Sequence, residues 1–377
     1  MTIREALNEN PSVRRGHWPR VAIIILNWNG WRDTLECLEA VLALDYPNFL
    51  AIVVDNHSTD DSVAKIRSWA RGEIPVRTRY VESFAALKPV EIVESDPSGD
   101  LIGGEGETQA GDHDVPSFRR ILLIPSDKNL GFAGGNNVAI RYALEMRYEY
   151  IWLLNNDAVP DREALTQLMI SAESDSRNGM VGSKILDYEE PETIQSIGEN
   201  LVLSRMRGKW PARKWPLSDP SGKVSQPLWM WAASLLISRE CLEEIRGFDE
   251  RYFFSYEDID LCIRARKRQW RLSCCMDSRV WHKGSLKDAA AFKTLLGRRI
   301  QLNSFSRFKL RGYYQIRNEI FFIKNFFPHL LVLSLLLDVG LLLKSLVLED
   351  CKYGRARVIR EACWDGLTNR MGEKRHG

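Results

Sequence analysis

Three polar side chains follow an apolar run near the middle of this 377-residue chain. Residues 150–154 are apolar and aromatic at their start, and Asn155, Asn156 and Asp157 come directly after them. A carboxylate such as Asp157 can ligate a hard divalent cation, and the two amides can hydrogen-bond the hydroxyl groups of a sugar or ribose. A strand end that turns into the next helix through an Asx turn has the same composition. The triplet alone leaves both interpretations open.

A second cluster of acids lies in residues 247–261, whose sequence is GFDERYFFSYEDIDL. Its apolar spacing predicts a helix that begins near Tyr256, which places Glu257 and Asp258 in the first helical turn. The helix dipole favours the ionised form of an acid there, and an ionised carboxylate in a cleft is a candidate general base. The competing interpretation is that these acids only stabilise the helix start and pair with bases such as Arg264.

Further candidate residues lie between these clusters. Asp55 ends an apolar run, where it can accept hydrogen bonds from a ribose or a base. The glycine-rich stretch 129–137 opens a helix, a natural seat for phosphate, although it lacks the dinucleotide fingerprint and the P-loop motif. Close helix–strand packing explains the same glycines without a ligand. His282 is a candidate metal ligand and Trp231 a candidate sugar-stacking residue, and a structural role is the alternative for each.

The elements that would position these residues alternate along the first half of the chain. Apolar strands are predicted at residues 21–26, 50–54, 121–125 and 150–154, and helices at about 31–44, after 58–60, at 131–147 and at 161–174. Shorter elements are expected at 180–186, 200–204, 238–245 and 271–276. Strands buried on both faces and separated by helices predict an α/β fold with a mainly parallel, doubly wound sheet. Ligands bind beyond the carboxyl ends of such strands, which is where the polar residues fall.

The net charge of +2 hides an uneven distribution along the chain. Residues 72–117 hold ten acids and three bases, and their composition predicts a flexible acidic insertion without its own core. Residues 279–377 hold nineteen bases and eight acids, which suggests an anionic partner such as a phospholipid surface or a phosphate-bearing substrate. Seven scattered cysteines and a polar N-terminus predict a cytosolic location without a secretory signal.

The C-terminal region is predicted to be helical and basic over residues 285–325. Residues 326–348 are the most hydrophobic stretch and are long enough to span a bilayer. They contain Asp338, and an acid at the centre of a spanning helix costs about 2.5–3.5 kcal/mol. Ser334, Asp338 and Ser345 share one narrow helical stripe, and bases flank the segment. We therefore expect a helix that lies in the membrane interface. A helix packed on the preceding domain is the close alternative, and a true span is the least favoured.

Six stretches, covering roughly residues 20–285, occur in a recognisable order: VAIIILNWNG, VVDNHSTDDS, NLGFAGGNN, WLLNNDA, GFDERYFFSYEDIDLCIRARKRQW and VWHKG. Together they resemble the family 2 inverting glycosyltransferases with the GT-A fold, and especially their rhamnosyltransferase-like branch. Residues 313–318, YYQIRN, resemble a further signature of that branch. Six ordered motifs are more specific than any one of them.

The resemblance implies a metal-assisted transfer of a sugar from a nucleoside-diphosphate donor. Asp157 would bind Mg²⁺ or Mn²⁺ with His282 as a second ligand. Asp258 would take the proton of the acceptor hydroxyl, and Glu257 would support it or contact the acceptor. The family's usual metal motif is Asp-x-Asp, whereas its first position is Asn155 here, which implies weaker metal binding.

The resemblance also implies that Asn29 and Asp55 hold the nucleoside and that Asn129, Gly131 and Asn136 line the donor pocket. Trp231 and Arg317 are the predicted acceptor-binding residues, Arg317 as a partner for a diphosphate. A surface helix is the alternative for Arg317. The predicted donor-binding residues are Asn27, Asn29, Asp55, Asn56, Asn129, Gly131, Gly134, Asn136, Asn155 and Asn156.

The predicted domain division is a lead-in at 1–20, a GT-A domain at 21–285 and a helical region at 286–377. The expected donor is a dTDP- or UDP-linked sugar, dTDP-rhamnose being one candidate. The expected acceptor is a lipid-linked or growing cell-surface polysaccharide at the inner face of the cell membrane, and no nucleic-acid partner is expected. A non-catalytic nucleotide-sugar or glycan-binding scaffold at the membrane is the alternative. A nicotinamide dehydrogenase is a third interpretation, which lacks its fingerprint after the first strand.

Overall fold

The computed structural model describes residues 18–80, 88–98, 120–199, 215–216, 227–284, 291–295, 298–302, 308–348 and 351–374. Within these ranges, one large mixed sheet carries helices on both faces, and a group of helices follows it. The predicted α/β class is confirmed. The predicted strand at 200–204 lies outside the described residues.

The strands of the large sheet are β1 (Val21–Asn27), β2 (Phe49–Asp55), β3 (Glu91–Glu94), β4 (Arg120–Pro125), β5 (Tyr150–Asn155), β6 (Ala158–Pro160), β7 (Asn178–Asp187), β8 (Thr193–Ser196), β9 (Trp215–Pro216), β10 (Ser234–Ser238) and β11 (Arg271–His282). Their order is β3-β4-β2-β1-β5-β10-β7-β11-β6, with β8 beside β7 and β9 beside β8. The first five strands in that order pair in parallel, and β10 runs antiparallel to both of its neighbours. The sheet is therefore parallel in its N-terminal half and mixed beyond it.

The helices are α1 (Trp31–Leu42), α2 (Ser62–Ala70), α3 (Gly131–Glu145), α4 (Ala164–Glu173), α5 (Arg239–Ile245), α6 (Glu257–Lys267), α7 (Tyr313–Phe326), α8 (Leu331–Leu348) and α9 (Lys352–Leu367). Alternate residues of β1 face opposite cores: Ile24 packs in one cluster, and Ile23 and Ile25 pack in the other. All three are fully buried, and each such side chain contributes about 1.5–3 kcal/mol through apolar burial. This burial on both faces explains the uninterrupted apolar sequence of the strand.

The prediction of a coreless insertion at 72–117 is wrong for part of that range. Glu91–Glu94 forms β3, an edge strand parallel to β4, and Val90 just before it is buried. Arg120 and Glu91 pair across the two strands at 2.8 Å. An edge strand keeps one side in water, so a segment with glutamates at both ends can still join the sheet. Residues 81–87 and 99–117 lie outside the described part of the chain.

The C-terminal region also differs from the helical prediction for 285–325. Ala291–Leu295 (β12) and Arg298–Leu302 (β13) form an antiparallel pair, so a hairpin precedes the helices. A short π-helical turn, Phe308–Gly312, then leads into α7. A 3₁₀ turn at Pro328–Leu330 separates α7 from α8, because proline cannot continue the backbone hydrogen bonding of α7. Helices α7, α8 and α9 share an apolar cluster that includes Ile320 and Ile359.

Candidate active site at the carboxyl edge of the sheet

The ends of three adjacent parallel strands bring polar side chains together. Asn27 at the end of β1 pairs in register with Asp55 at the end of β2, and Leu26 of β1 pairs with Asn155 of β5. The chain winds from β1 towards β2 and β4 on one side and resumes with β5 on the other. This reversal of strand order is the place where open α/β sheets bind ligands.

Asn27 and Asp55 form the buried base of this edge. Asn27 Nδ2 donates to Asp55 Oδ1 at 2.6 Å, and Asn27 Oδ1 accepts from the hydroxyl of Thr34 at 2.8 Å. Asp55 Oδ2 accepts from the backbone N–H of Ser58 at 3.0 Å. Asn27 has no exposed surface, so its predicted direct contact with a donor is corrected to a supporting role. Each oxygen of Asp55 can accept a second hydrogen bond, and its donor contact stays a prediction.

Of the two interpretations of the glycine-rich start of α3, a phosphate seat is the less favoured, because protein groups occupy three of its N–H donors. The N–H of Leu130 donates to Asn56 Oδ1 at 2.8 Å, and that of Gly131 donates to Asn129 Oδ1 at 2.8 Å. The N–H of Phe132 donates to the carbonyl oxygen of residue 253 at 2.7 Å. The alternative interpretation, close packing, is the one that the structure supports.

The glycines of this stretch serve that packing. Gly131 has a φ of 71°, and a Cβ there would collide with the backbone oxygen and ring of Phe253. Gly134 lies under Leu130, where a Cβ would approach the leucine Cβ at 2.9 Å. Asn56 and Asn136 are buried and donate to backbone carbonyls. The predicted direct donor contacts are therefore corrected to structural roles for Asn56, Gly131, Gly134 and Asn136.

The more accessible predicted donor residues are Asn29, Asn129, Asn155 and Asn156. Asn29 is exposed, with a φ of 53°, and its Oδ1 accepts from the N–H of Thr59 at 2.7 Å. Asn156 Nδ2 donates to the hydroxyl of Thr34 at 3.1 Å, which ties the loop after β5 to α1. Their donor contacts stay predictions.

Asp157 and His282, the two predicted metal ligands, lie side by side although 125 residues separate them in the sequence. Asp157 Oδ1 is 3.2 Å from His282 Nε2, and Asn155 Nδ2 is 3.3 Å from the same nitrogen. Antiparallel pairing of β6 with the end of β11 sets Ala158 opposite His282. Burial opposes ionisation of Asp157, but the adjacent His282, a backbone hydrogen bond and Lys283 together lower the pKa of Asp157.

Gln195, which the sequence reasoning missed, fixes the orientation of the His282 ring. Its Nε2 donates to the backbone oxygen of His282 at 2.9 Å and faces Asp187 Oδ2 at 3.3 Å. Both partners are acceptors, so the amide oxygen must be the atom 3.1 Å from His282 Nδ1. Nδ1 therefore donates to Gln195, and Nε2 faces the carboxylate of Asp157. A lone pair on Nε2 and a carboxylate oxygen repel each other, so the pair suits a shared cation, either a proton or a divalent metal.

Lys283 is a second residue that the sequence reasoning missed. Its backbone N–H donates to the carbonyl oxygen of Asp157 at 3.0 Å. Its Nζ lies 2.5 Å from Asp33 and 2.7 Å from Glu36, both on α1. Burial opposes the charge on Lys283, but these two acids raise its pKa. Lys283 thus holds the end of β11 and the backbone of Asp157 against α1.

The second predicted cluster forms the start of α6. Glu257 is buried, Asp258 is partly exposed, and burial raises the pKa of Asp258 to about 6 and that of Glu257 to about 8. The negative charge of Asp258 adds to the effect on Glu257. Asp260 pairs with Arg264 at 2.6 Å, as the competing interpretation expected. Among the described residues, no hydrogen-bond partner reaches Glu257 Oε2, so surface ion pairing does not explain Glu257.

The segment 231–233 joins the two clusters. The ring of Trp231 meets that of His282 edge to face, with centroids 6.4 Å apart. The backbone N–H of Ala232 hydrogen-bonds Asp258, and the backbone N–H of Asn155 donates to Ala233 O at 3.1 Å. Glu257 and Asp258, which we call the acid pair, and the sheet edge that carries Asp157 therefore belong to one site. Contact of Trp231 with an acceptor stays a prediction.

The predicted contact of Arg317 with an acceptor is wrong, because the side chain is 1% exposed. Its guanidinium donates to the backbone oxygens of Tyr252 at 3.1 Å and Gly372 at 2.6 Å. Arg317 Nε also donates to the side-chain oxygen of Asn318 at 2.8 Å. Neither the acceptor contact nor the surface-helix alternative fits this side chain, which packs inside the protein.

Asn318 holds the loop at residues 252–256, which lies directly before the acid pair. We call this loop the base loop. Its Nδ2 donates to the backbone oxygens of Tyr252, Phe254 and Ser255 at 2.9, 2.8 and 2.7 Å. The base loop contains three non-glycine residues with positive φ, namely Phe253, Ser255 and Tyr256. Such conformations persist only when surrounding contacts enforce them. We call the pair Arg317 and Asn318 the α7 clamp.

The fold and this site define a doubly wound α/β protein whose chemistry lies at the carboxyl ends of its parallel strands. Residues 22–83 match the sequence profile described as "Glycosyl transferase family 2". The match covers this N-terminal segment, and the relatives described next are similar to further parts of the chain.

Three characterised relatives are similar to parts of the chain. A low-salt glycan biosynthesis hexosyltransferase of Haloferax volcanii is 29% identical over 41% of this chain and 49% of its own length. An N-acetylglucosaminyl-diphospho-decaprenol L-rhamnosyltransferase of Mycobacterium tuberculosis is 25% identical over 50% of this chain and 64% of its own. A dTDP-rhamnosyl transferase of Shigella flexneri is 24% identical over 58% and 68%. The chain thus matches about half to two thirds of the length of these relatives.

Proposed function

We propose that this protein transfers a sugar, with inversion, from a nucleoside-diphosphate donor to a hydroxyl group of a lipid-linked or polysaccharide acceptor. The observation that carries the proposal is the acid pair at α6, whose raised pKa values fit proton transfer and which the segment 231–233 connects to Asp157 and His282. The relatives add support, since two of them are named as rhamnosyl transferases. Rhamnose from dTDP-rhamnose is the sugar and donor that we propose to test first.

In the proposed reaction, Asp258 accepts the proton of the acceptor hydroxyl. The acceptor oxygen forms a bond to the anomeric carbon of the donor while the bond from that carbon to the diphosphate breaks, and the diphosphate leaves with the electron pair. Glu257, whose pKa of about 8 keeps it largely protonated at neutral pH, limits the negative charge beside the base. Asn29, Asn155 and Asn156 present amides that can hydrogen-bond the donor.

Asp157 and His282 are the residues that would hold a divalent metal, Mg²⁺ or Mn²⁺. A bound divalent ion would neutralise the charge of the leaving diphosphate. Among the described residues, no group of three or more His, Cys, Asp or Glu side chains is arranged to hold a metal ion. Phosphate oxygens and water must then supply the remaining ligands, which is the usual way in which Mg²⁺ binds at phosphate sites.

The non-catalytic scaffold predicts donor binding without turnover. The acid pair argues against it, because a binding protein gains nothing from two carboxyls whose burial opposes their charge. The dehydrogenase interpretation predicts NADH binding. The start of α1 lacks the dinucleotide fingerprint.

Donor binding can be measured first by thermal shift with dTDP, UDP, their sugar conjugates and NADH, each with and without Mn²⁺ or Mg²⁺. A ligand at one hundred times its Kd stabilises the native state by about 2.7 kcal/mol, so we expect a clear, metal-dependent rise in Tm with a nucleoside diphosphate. A response to NADH alone contradicts the proposal. Binding followed by no transfer to any lipid-linked acceptor moves the assignment to the scaffold.

Gln195→Leu is expected to weaken Mn²⁺ binding about 10- to 100-fold, because His282 loses the acceptor that orients its ring. The measurement is free Mn²⁺ by electron paramagnetic resonance, titrated in the presence of dTDP. In a His282→Ala background the same substitution should have no further effect on Mn²⁺ affinity, which separates orientation of the ligand from general destabilisation. Equal losses in both backgrounds would mean that Gln195 acts only on the fold.

A further inference from the structure

Helix α8 has its polarity reversed relative to an ordinary surface helix. Ser334, Asp338 and Ser345 are 0%, 4% and 0% exposed, so the polar stripe faces the protein. Ser334 Oγ lies 3.4 Å from Glu319 Oε1 on α7, which marks the protein-facing side. A surface helix in water places its apolar stripe inwards and its polar residues outwards.

The opposite side of α8 exposes a row of large apolar side chains. They are Val332 (69% exposed), Leu333 (47%), Leu336 (63%), Leu337 (40%), Val339 (51%), Leu343 (57%) and Leu346 (36%). Most of the large apolar side chains that are exposed in the described part of the chain lie on this one helix. An exposed apolar surface of this extent marks an interaction site.

Helix α9, which packs beside α8, shows what kind of partner fits this surface. Tyr353, Arg357, Arg360 and Trp364 recur at helical spacing and are all exposed, with Tyr353 at 88% and Trp364 at 58%. Aromatic rings with arginines beside an apolar face are the composition of elements that sit between lipid tails and anionic headgroups. The excess of eleven positive charges over residues 279–377 complements an anionic surface.

The orientation of α8 follows from its protein contacts. The helix Leu331–Leu348 has 18 residues, which gives a length of about 27 Å, and the segment Pro328–Leu346 is long and apolar enough to cross a bilayer. A crossing helix would place Asp338 in hydrocarbon or in contact with other spanning helices. Here the stripe that contains Asp338 is instead buried against the protein. The packing therefore fits a helix parallel to the membrane, with half of its circumference in lipid.

We propose that the exposed face of α8 and the Tyr353–Trp364 stripe of α9 bind the surface of an anionic lipid bilayer, with α8 parallel to the membrane plane. Helix α7, which packs against both, also carries the α7 clamp that holds the base loop. On the proposed function, this arrangement brings the base close to a membrane-bound acceptor. The membrane contact itself requires no turnover and can be tested without it.

The test is flotation of the full chain with vesicles of phosphatidylcholine alone or with phosphatidylglycerol. We expect binding that is stronger with phosphatidylglycerol and weaker at high salt. The double substitution Leu336→Asp with Leu343→Asp should weaken binding to both kinds of vesicle at least about tenfold. The reason is that two leucine side chains that would be buried in lipid are lost. Arg357→Glu with Arg360→Glu should remove the preference for phosphatidylglycerol and leave the weaker binding to phosphatidylcholine.

Matched controls lie on the sheet domain. Met146→Asp changes an exposed apolar residue after α3, and Arg71→Glu changes an exposed arginine that pairs with a nearby glutamate as Arg357 does. Both should bind vesicles like the unmodified chain. The proposal is overturned if the unmodified chain ignores vesicles, or if the α8 and control variants bind alike. It is also overturned if the unmodified chain is a dimer in solution and Leu336→Asp with Leu343→Asp converts it to a monomer without changing vesicle binding. Alkaline carbonate releases peripheral proteins from membranes, so a chain that resists this extraction would overturn the proposal as well.

Discussion

Replacing Asp258 with asparagine should abolish sugar transfer while the protein stays folded and still binds its donor. The asparagine side chain keeps the shape of the residue but cannot accept the proton of the acceptor hydroxyl. General-base catalysis contributes about 10²- to 10⁴-fold, so we expect kcat to fall by about that factor. The measurements are kcat with a lipid-linked acceptor and donor affinity by thermal shift.

The pH profile provides an independent check of the same assignment. Asp258 must be ionised to act as a base, and its pKa is raised to about 6. Below that pH a proton occupies the base, so kcat/KM should fall about tenfold per pH unit.

The stability of the fold should depend on the same group. Because the pKa of Asp258 is higher in the folded than in the unfolded protein, folding favours its protonated form. The stabilisation that results is fully present below the unfolded pKa and is lost as the pH rises through about 6. Asp258→Asn should therefore raise Tm at pH 8.

Asp260→Asn is the matched control for this substitution. Asp260 lies two residues further along α6 but pairs with Arg264 and accepts from Tyr252 OH. We expect a lower Tm and nearly normal turnover per folded molecule, the opposite of Asp258→Asn. Turnover close to that of the unmodified enzyme in Asp258→Asn would exclude this residue as the base.

The second large effect is expected for Asn318→Asp in the α7 clamp. An aspartate is nearly isosteric, but a carboxylate cannot donate to the three base-loop carbonyls that Asn318 holds. Strained residues cost about 1–3 kcal/mol each, and the base loop has three of them, so it should relax without the clamp. We expect kcat to fall about a hundredfold, Tm to fall by several degrees, and donor affinity to change less than about twofold.

A purely structural role for Asn318 would lower the amount of folded enzyme and nothing else. A positioning role also changes the pH profile, because a relaxed base loop exposes Asp258 and should return its pKa towards that of an ordinary carboxylate. Asn325→Asp makes the same chemical change on the same helix, where the amide donates to the local carbonyl of Phe321 at 2.9 Å. That control should keep both the turnover and the pH profile. An Asn318→Asp enzyme with unchanged turnover per folded molecule would contradict the positioning role.

The parallel half of the sheet was predictable because its strands are continuous apolar runs with polar ends. The end of β1 at Asn27, of β2 at Asp55 and of β5 at Asn155 then had to meet at one edge, since parallel strands share a direction. The edge strand β3 was missed because its sequence, EIVE, resembles a charged loop. The β12–β13 hairpin was missed because its strand sequences, AFKTL and RRIQL, are short and mix basic with apolar residues, as surface helices also do.

Within the site, the candidate reactive groups could be singled out from the sequence and their supports could not. Asp157, His282 and Asp258 stand out as candidates because few residue types perform such chemistry. Gln195 orients His282 across 87 residues of sequence, and no local pattern distinguishes it from other polar residues. Arg317 was assigned to a ligand because charge suggests an anion, whereas its guanidinium is surrounded by backbone carbonyls. Which amides contact a ligand and which are buried depends on packing, which a single sequence does not encode locally.

The close contact that keeps Gly131 a glycine has a consequence for how the binding of one substrate affects the binding of the other. Asn56, next to Asp55 on the donor side, holds the start of α3, and the N–H of Phe132 at that start donates to the base loop at residue 253. A donor that restrains one end of this connection would also restrain the base loop at the other end and so favour acceptor binding. Thermodynamic linkage then requires the acceptor to raise donor affinity by the same factor. The two substrates should therefore bind cooperatively, although no contact between them is needed.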